Sequence, residues 1–337
     1  MRRSIVAIVL CVAACTGAAI PAQARSARDG VSVALDWTPN TNHTGIYVAQ
    51  KLGYYAAAGI DLRILPYAST APETLVSHRK ADFGFSYSAG VAFARAAGAD
   101  VTSVFAVLQH TALEIGVRAD RRDIRTPKDL DGKTYAGFGT PDEKPLLQTV
   151  IRNAGGTGTF RDVTLNTSAY DAVYRGKADF TLPLATWEVI QARLAGKPLK
   201  TFKLSRYGVP AEYSALIASS AAYLKANPSL ARRFLAATAR GYRYALDHPR
   251  AAASILIAAN KQVLTQPRLV YESAALMAKS YYRDPAGGVG RQAFGTWKGY
   301  VGFLYAHHAL TDADGHALSR APAYASYFTN AYLPHTG

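Results

Sequence analysis

Val31-Ser32-Val33-Ala34-Leu35-Asp36-Trp37-Thr38-Pro39-Asn40-Thr41-Asn42-His43 is the stretch on which the reading of this chain turns. Val31 to Leu35 is a short apolar run that predicts a strand, and it breaks into a polar, aromatic turn. A helix fits Thr44 to Ala58, Gly59 closes it, and Ile60 to Leu65 predicts the next strand. Strand, turn, helix and strand together make one β/α unit.

Working outward, the unit repeats. A helix is predicted around Pro72 to Arg79, a strand at Asp82 to Ser86, a helix from Ser88 to Ala97 and a strand from Val101 to Leu108. After Leu113 to Val117 a fresh series begins with strand Tyr135 to Phe138 and a helix ending at Asn153. It continues through strand Val163 to Leu165, helix Ala169 to Tyr174, strand Phe180 to Leu182, helix Thr186 to Leu194 and strand Leu199 to Leu204. Such alternation implies α/β layering on mostly parallel sheets. From Ser214 to Ala218 one more strand precedes helices at Pro228 to Leu246, Pro249 to Ala259, Pro267 to Ser280 and Arg291 to His307. They hold too little strand for a third domain and are expected on the first lobe. The expected organisation is a leader at 1–24, a first lobe from 25–118 and 212–337, a second from 119–211, and a two-strand hinge between them.

At the N-terminus, Met1-Arg2-Arg3, the apolar run Ser4 to Ala14 and Ala22-Gln23-Ala24 have the layout of a secretory signal peptide. An exported protein, in the periplasm or on the outer face of the cytoplasmic membrane, is expected. Val12-Ala13-Ala14-Cys15 also resembles a lipobox, which makes Cys15 a candidate lipid anchor. Cys11 and Cys15 are the only two cysteines, so nothing after Arg25 can form a disulfide, a thiol nucleophile or a cysteine metal site. A net charge of +15 over 337 residues comes from scattered Lys and Arg with no dense basic run, which argues against nucleic acid. The charge instead leans toward anionic solutes or an anionic membrane surface.

Ligands of parallel sheets bind beyond the carboxyl ends of strands, where loops meet helix starts. That rule selects the turn with Trp37 and Asn40, then Tyr87 and Ser88, then Gly137 and Phe138, then Trp187 and Glu188. Each has a structural alternative. Trp37 is a ligand platform or a core or lobe-interface aromatic, and Asn40, Thr41 and Asn42 cap the following helix or face the ligand. His43 is read as a hydrogen-bonded helix-start residue, and Glu143 as the capping-box partner of Thr140. The Gly137–Thr140 loop offers backbone N–H groups to an anionic or carbonyl group. Glu188 either decorates a helix dipole or accepts hydrogen bonds from an aminopyrimidine-like ring.

With these residues in view, Asp36 to Ala49, Lys51-Leu52-Gly53-Tyr54-Tyr55 and Gly59-Ile60-Asp61-Leu62 resemble the opening of the thiamine-pyrimidine-synthase-like family. The similarity runs through Ala81-Asp82-Phe83-Gly84, Pro127 to Lys133 and Thr186-Trp187-Glu188, roughly residues 31 to 245. It implies a type II periplasmic binding protein fold and a monomeric ABC-importer receptor that closes on a formylaminopyrimidine or hydroxymethylpyrimidine. A membrane permease would be its partner; no cofactor, catalytic residue or metal is implied. Trp37, Asn40, Tyr87 and Ser88 would line one side, and Trp187 and Glu188 the other. Relatives also bind flavins, sulfonates or nitrate, and one eukaryotic relative is an enzyme that builds the pyrimidine from pyridoxal phosphate and its own histidine. The chain resembles that enzyme at Asn40 to Gly45 but has no counterpart of its cysteine-rich iron motif.

Overall fold

A computed structural model describes residues 28–334, so the leader at 1–24, with Cys11 and Cys15, lies outside the described residues. The first series runs β1 (Asp29–Ala34), α1 (Thr44–Lys51), α2 (Tyr54–Ala57), β2 (Ile60–Leu65), α3 (Pro72–Ser77), β3 (Phe83–Ser86), α4 (Ser88–Ala96) and β4 (Thr102–Ala106). The second runs β5 (Glu114–Arg118), β6 (Thr134–Gly137), α5 (Glu143–Asn153), β7 (Arg161–Thr164), α6 (Ala169–Tyr174), β8 (Phe180–Thr181), α7 (Glu188–Leu194) and β9 (Leu199–Lys203). The chain ends with β10 (Leu216–Ser219), α8 (Ala221–Ala226), α9 (Pro228–Asp247), α10 (Pro249–Ala259), α11 (Pro267–Ser280) and α12 (Phe294–Ala306).

The strands form two five-stranded sheets, ordered β2-β1-β3-β10-β4 and β7-β6-β8-β5-β9. In each, the β/α strands pair in parallel, as β1 does with β2 from Asp29↔Ile60 to Ala34↔Leu65. One strand in each is inserted antiparallel: β10 between β3 and β4, and β5 between β8 and β9. This is the α/β, type II periplasmic binding architecture, and the strand-order reversals put loop-borne side chains at the carboxyl ends of β1, β3, β6 and β8.

Two readings of the sequence need correction. β5, read with the first lobe, pairs Glu114↔Lys203 through Arg118↔Leu199 and belongs to the second sheet. The first crossing therefore precedes Glu114 and does not lie near residue 118. An apolar run announces a strand, but its sheet is decided by partners some eighty residues away. The helix read from Thr44 to Ala58 is broken at Gly53, whose φ of +72° is a left-handed conformation that ends α1 and starts α2.

The terminal helices pack chiefly on the first sheet. α9 crosses α1 so closely that a Cβ on Gly241 would sit 2.0 Å from the Gly45 carbonyl oxygen, and a Cβ on Gly45 2.4 Å from the Tyr242 ring. Phe83, Phe85, Phe105, Phe234 and Tyr242 fill the core beneath. Two of these helices also reach the other half: Arg193 on α7 pairs with Glu272 on α11, and Tyr300 on α12 donates to Asp142 Oδ2 at 3.3 Å. No helix among the described residues is long and apolar enough to cross a membrane.

Candidate functional site

Between the two sheets lies a cavity of about 370 Å³. Its first wall is the turn after β1. Asn40 caps that turn: its Oδ1 accepts the Asn42 N–H at 2.8 Å, and its Nδ2 donates to the Thr38 carbonyl at 3.1 Å. The Asn40 N–H donates to His43 Nδ1 at 3.2 Å, which leaves the ring proton on Nε2 to donate to Asp36 Oδ1 at 2.9 Å. His43 is fully buried, edge-on to Phe85 at 4.6 Å, and is not on the cavity wall. It orients Asp36, as a helix-start histidine is expected to do.

Trp37 follows on the rim of this turn, half-buried. Its ring lies 5.1 Å from Tyr67, tilted by 41°, and 6.4 Å from Phe138 of the second lobe in an edge contact. Phe138 in turn meets Tyr170 at 5.8 Å. Trp37, Phe138 and Tyr170 thus line both halves of the cavity, with Tyr67 behind Trp37, a setting in which a planar ring finds faces and edges.

Of the residues selected from the sequence, Trp37, Asn40, Tyr87, Phe138, Trp187 and Glu188 all lie on the cavity wall. Ser88 and Gly137 do not. The Ser88 hydroxyl donates to the Tyr213 carbonyl at 3.2 Å and accepts the Tyr213 N–H at 3.0 Å, stapling α4 to the returning crossing. Gly137 is glycine because any side chain would collide with the Tyr135 ring at 2.4 Å and Glu143 Oε2 at 2.5 Å. Asn40 is on the wall with most of its amide spent on capping. Trp187, at the start of α7, also packs against the α10–α11 cluster that includes Tyr47, Leu256 and Val270.

Glu143 overturns one expectation. Its oxygens accept the N–H groups of Phe138 at 2.9 Å and Gly139 at 3.0 Å, rather than pairing with Thr140. The loop amides read as a receptor for an anion are therefore already occupied by the protein's own carboxylate. The leaning toward anionic solutes fails on the same ground: Asp36, Asp142, Glu143, Glu188 and Glu212 line the cavity, while no Lys, Arg or His among the described residues does.

Glu188 stands at the first turn of α7, and its Oε2 accepts the Leu184 N–H at 3.0 Å. Burial pushes its carboxyl up to about 7, against the pull of that hydrogen bond. Tyr170 and Tyr174 are raised by burial and by Glu188. At the other end, Glu212 accepts from Thr111 Oγ1 at 3.1 Å and is pushed up to about 8 by burial and by Asp142. Tyr170, Asp142 and Glu212 were not selected from sequence. The helix-start rule applied at α5 and α6 would have reached the first two, whereas Glu212 sits on an irregular crossing segment that the rule ignores.

This geometry has relatives. The chain is 28% identical over 291 residues to the formylaminopyrimidine-binding protein of Halalkalibacterium halodurans, covering 84% of this chain and 87% of that one. It is 28% identical over 245 residues to the 4-amino-5-hydroxymethyl-2-methylpyrimidine phosphate synthase of Legionella pneumophila, covering 71% and 77%. The periplasmic aliphatic sulphonate binding protein SsuA of Escherichia coli shares the fold with a TM-score of 0.63 at 14% identity, over 86% of this chain and 92% of that one. Residues 40–252 match the family described as NMT1/THI5 like. With that match spanning more than half its length, the chain belongs to the NMT1/THI5-like family.

Proposed function

We propose that this chain is an extracytoplasmic receptor of an ABC importer that captures a thiamine pyrimidine precursor, of the formylaminopyrimidine or hydroxymethylpyrimidine type. The observation that carries this reading is the chemistry of the cavity: aromatic rings from both lobes, five carboxyl side chains and, among the described residues, no cationic one. An aminopyrimidine is flat and presents N–H donors beside ring nitrogens, so it stacks on these rings while its amino edge meets Glu188. The similarity to a formylaminopyrimidine-binding protein supports the same ligand class. Delivery to a membrane permease, a monomeric receptor and an exported location complete the proposal.

A sulfonate or nitrate receptor of this fold needs donors and positive charge where this cavity offers carboxylates. The synthase reading meets a related obstacle. A pyridoxal phosphate enzyme needs a lysine for the aldehyde and partners for the phosphate, and no lysine or arginine among the described residues faces this space. His43, at the position of the resemblance to that enzyme, is closed off behind Asp36.

Closure is the mechanism. Ligand bound to the Trp37 wall stabilises the form in which the second lobe also contacts it. Arg193 and Glu272 bridge α7 and α11 on the outer rim, a half-exposed pair that Arg268 joins through a 3.0 Å contact. Arg193→Ala is expected to lower affinity by less than about 1 kcal/mol and to weaken its salt dependence, measured by calorimetry at two ionic strengths.

The reading is tested by thermal shift. At a hundredfold excess over Kd, a ligand of the native state contributes ~2.7 kcal/mol, which raises the melting point by roughly 5 °C for a protein of this size. 4-Amino-5-hydroxymethyl-2-methylpyrimidine is expected to give such a shift, and its phosphate ester, taurine and nitrate none. A shift from the anions alone would reject the proposal.

A further inference from the structure

Asp142 and Glu212 approach the same end of the cavity from different parts of the chain. Asp142 precedes α5, and Glu212 lies on the returning crossing between the sheets; only 6% and 5% of their surfaces are exposed. Each has one oxygen held by a hydroxyl: Tyr300 donates to Asp142 Oδ2, and Thr111 donates to Glu212 Oε1. The other two oxygens, Asp142 Oδ1 and Glu212 Oε2, are buried with no partner among the described residues. Both residues nevertheless line the cavity.

The groups around them are all acidic or hydroxylic. Tyr300 of α12 faces both carboxyls, and Tyr87 at the start of α4 faces the pair together with Glu73 and Glu143. Glu143 is satisfied by backbone amides and Glu73 by the Ser86 hydroxyl, so neither compensates the pair. Two neighbouring carboxyls out of water, without a cation, cannot both remain ionised. One proton between them gives an O–H donor beside an acceptor, and a secondary amide presents the complementary set, a carbonyl oxygen beside an N–H.

We propose that Asp142 and Glu212 share one proton and form the subsite for a secondary-amide arm of the ligand, the acid donating to the carbonyl oxygen and the carboxylate accepting the N–H. This rests on the aminopyrimidine reading of the cavity, which assigns the ring to Trp37 and Glu188. The shared proton belongs to the pair. Burial and the neighbouring Asp142 push Glu212 up to about 8, and burial raises Asp142 in the same direction. Because the outgoing crossing carries Thr111, the returning crossing carries Glu212 and the turn before α5 carries Asp142, an amide held there is contacted from the hinge and the second lobe together.

The test uses the full mature protein and three probes sharing the 4-amino-2-methylpyrimidine ring, with formamidomethyl, aminomethyl or hydroxymethyl at position 5. Affinity ratios from calorimetry remove the contribution of Glu188, which all three rings share. At about pH 6.5 the formamide is expected to bind about tenfold more tightly than the hydroxymethyl probe. That preference should shrink as pH rises past about 8 and the pair loses its proton. Glu212→Gln, which keeps an N–H donor, should retain the preference and lose its pH dependence; Glu212→Ala and Asp142→Ala should lose the preference. Tighter binding of the aminomethyl probe in the wild type would show both carboxyls ionised and overturn the proposal. Equal binding of the formamide and hydroxymethyl probes would overturn it while leaving the ring reading intact, and neither result depends on a variant folding. Failure of all three to bind would reject the ring reading and this assignment with it.

Discussion

Replacing Trp37 with alanine is expected to weaken aminopyrimidine binding by about 2–4 kcal/mol, the range for a tryptophan anchor at the centre of a contact. The ring touches Tyr67, which is 45% exposed, and Phe138 on the opposite lobe, but does not belong to the clusters that hold either lobe together. Its removal should therefore cost little stability. Calorimetry should show the lost affinity, and thermal unfolding of the ligand-free variant should stay close to wild type. Of the three tryptophans, Trp297 is only 1% exposed and stacks on Phe328, so ligand-induced quenching belongs to Trp37 and Trp187. The variant should lose the larger share of it. A variant that melts several degrees lower with binding intact would make Trp37 a structural residue instead.

Glu188→Gln is the second large effect. One carboxylate oxygen already accepts the Leu184 N–H, and the other can accept the amino N–H of the ring; a glutamine amide has one acceptor oxygen for these two donors and turns its NH2 against one of them. A loss of ~1–3 kcal/mol is expected, the range for hydrogen bonds to a charged group. The pH dependence supplies a second readout. Burial raises the Glu188 carboxyl to about 7, so below that pH ligand binding must first remove a proton. Wild-type affinity for the hydroxymethylpyrimidine should accordingly rise as pH increases from about 5 through 7 and then level off. The glutamine variant should be flat over that window. A wild-type profile that falls across it would remove Glu188 from ring recognition.

Much of this molecule could be read before its coordinates. Periodicity located β2, α6, α10 and α11 to the residue, because Pro249 and Pro267 mark helix starts and Gly59 a helix end. Pairing was less legible: nothing local in Glu114 to Arg118 says that its partners are Leu199 to Lys203. At the site, the rule that ligands sit past the carboxyl ends of parallel strands reached both tryptophans, Phe138 and Glu188. It failed where a side chain spoke for its own backbone. Gly137 looked like a ligand turn and serves as clearance for Glu143, and Ser88 looked like a hydroxyl donor and is bonded to Tyr213 on both sides. The sign of the cavity was the least accessible property. A net charge of +15 is a sum over the whole chain, whereas Asp36, the adjacent Asp142 and Glu143, Glu188 and Glu212 come from four separate segments that only the fold brings together.

The most direct test is a crystal structure of the mature protein with 4-amino-5-hydroxymethyl-2-methylpyrimidine bound. The ring should lie against the Trp37 face with centroids about 4.5–7 Å apart, and its amino group should donate to Glu188 at about 2.7–3.0 Å. A pyrimidine bound outside this cavity, or inside it with Glu188 turned away and no contact to Trp37, would contradict the account.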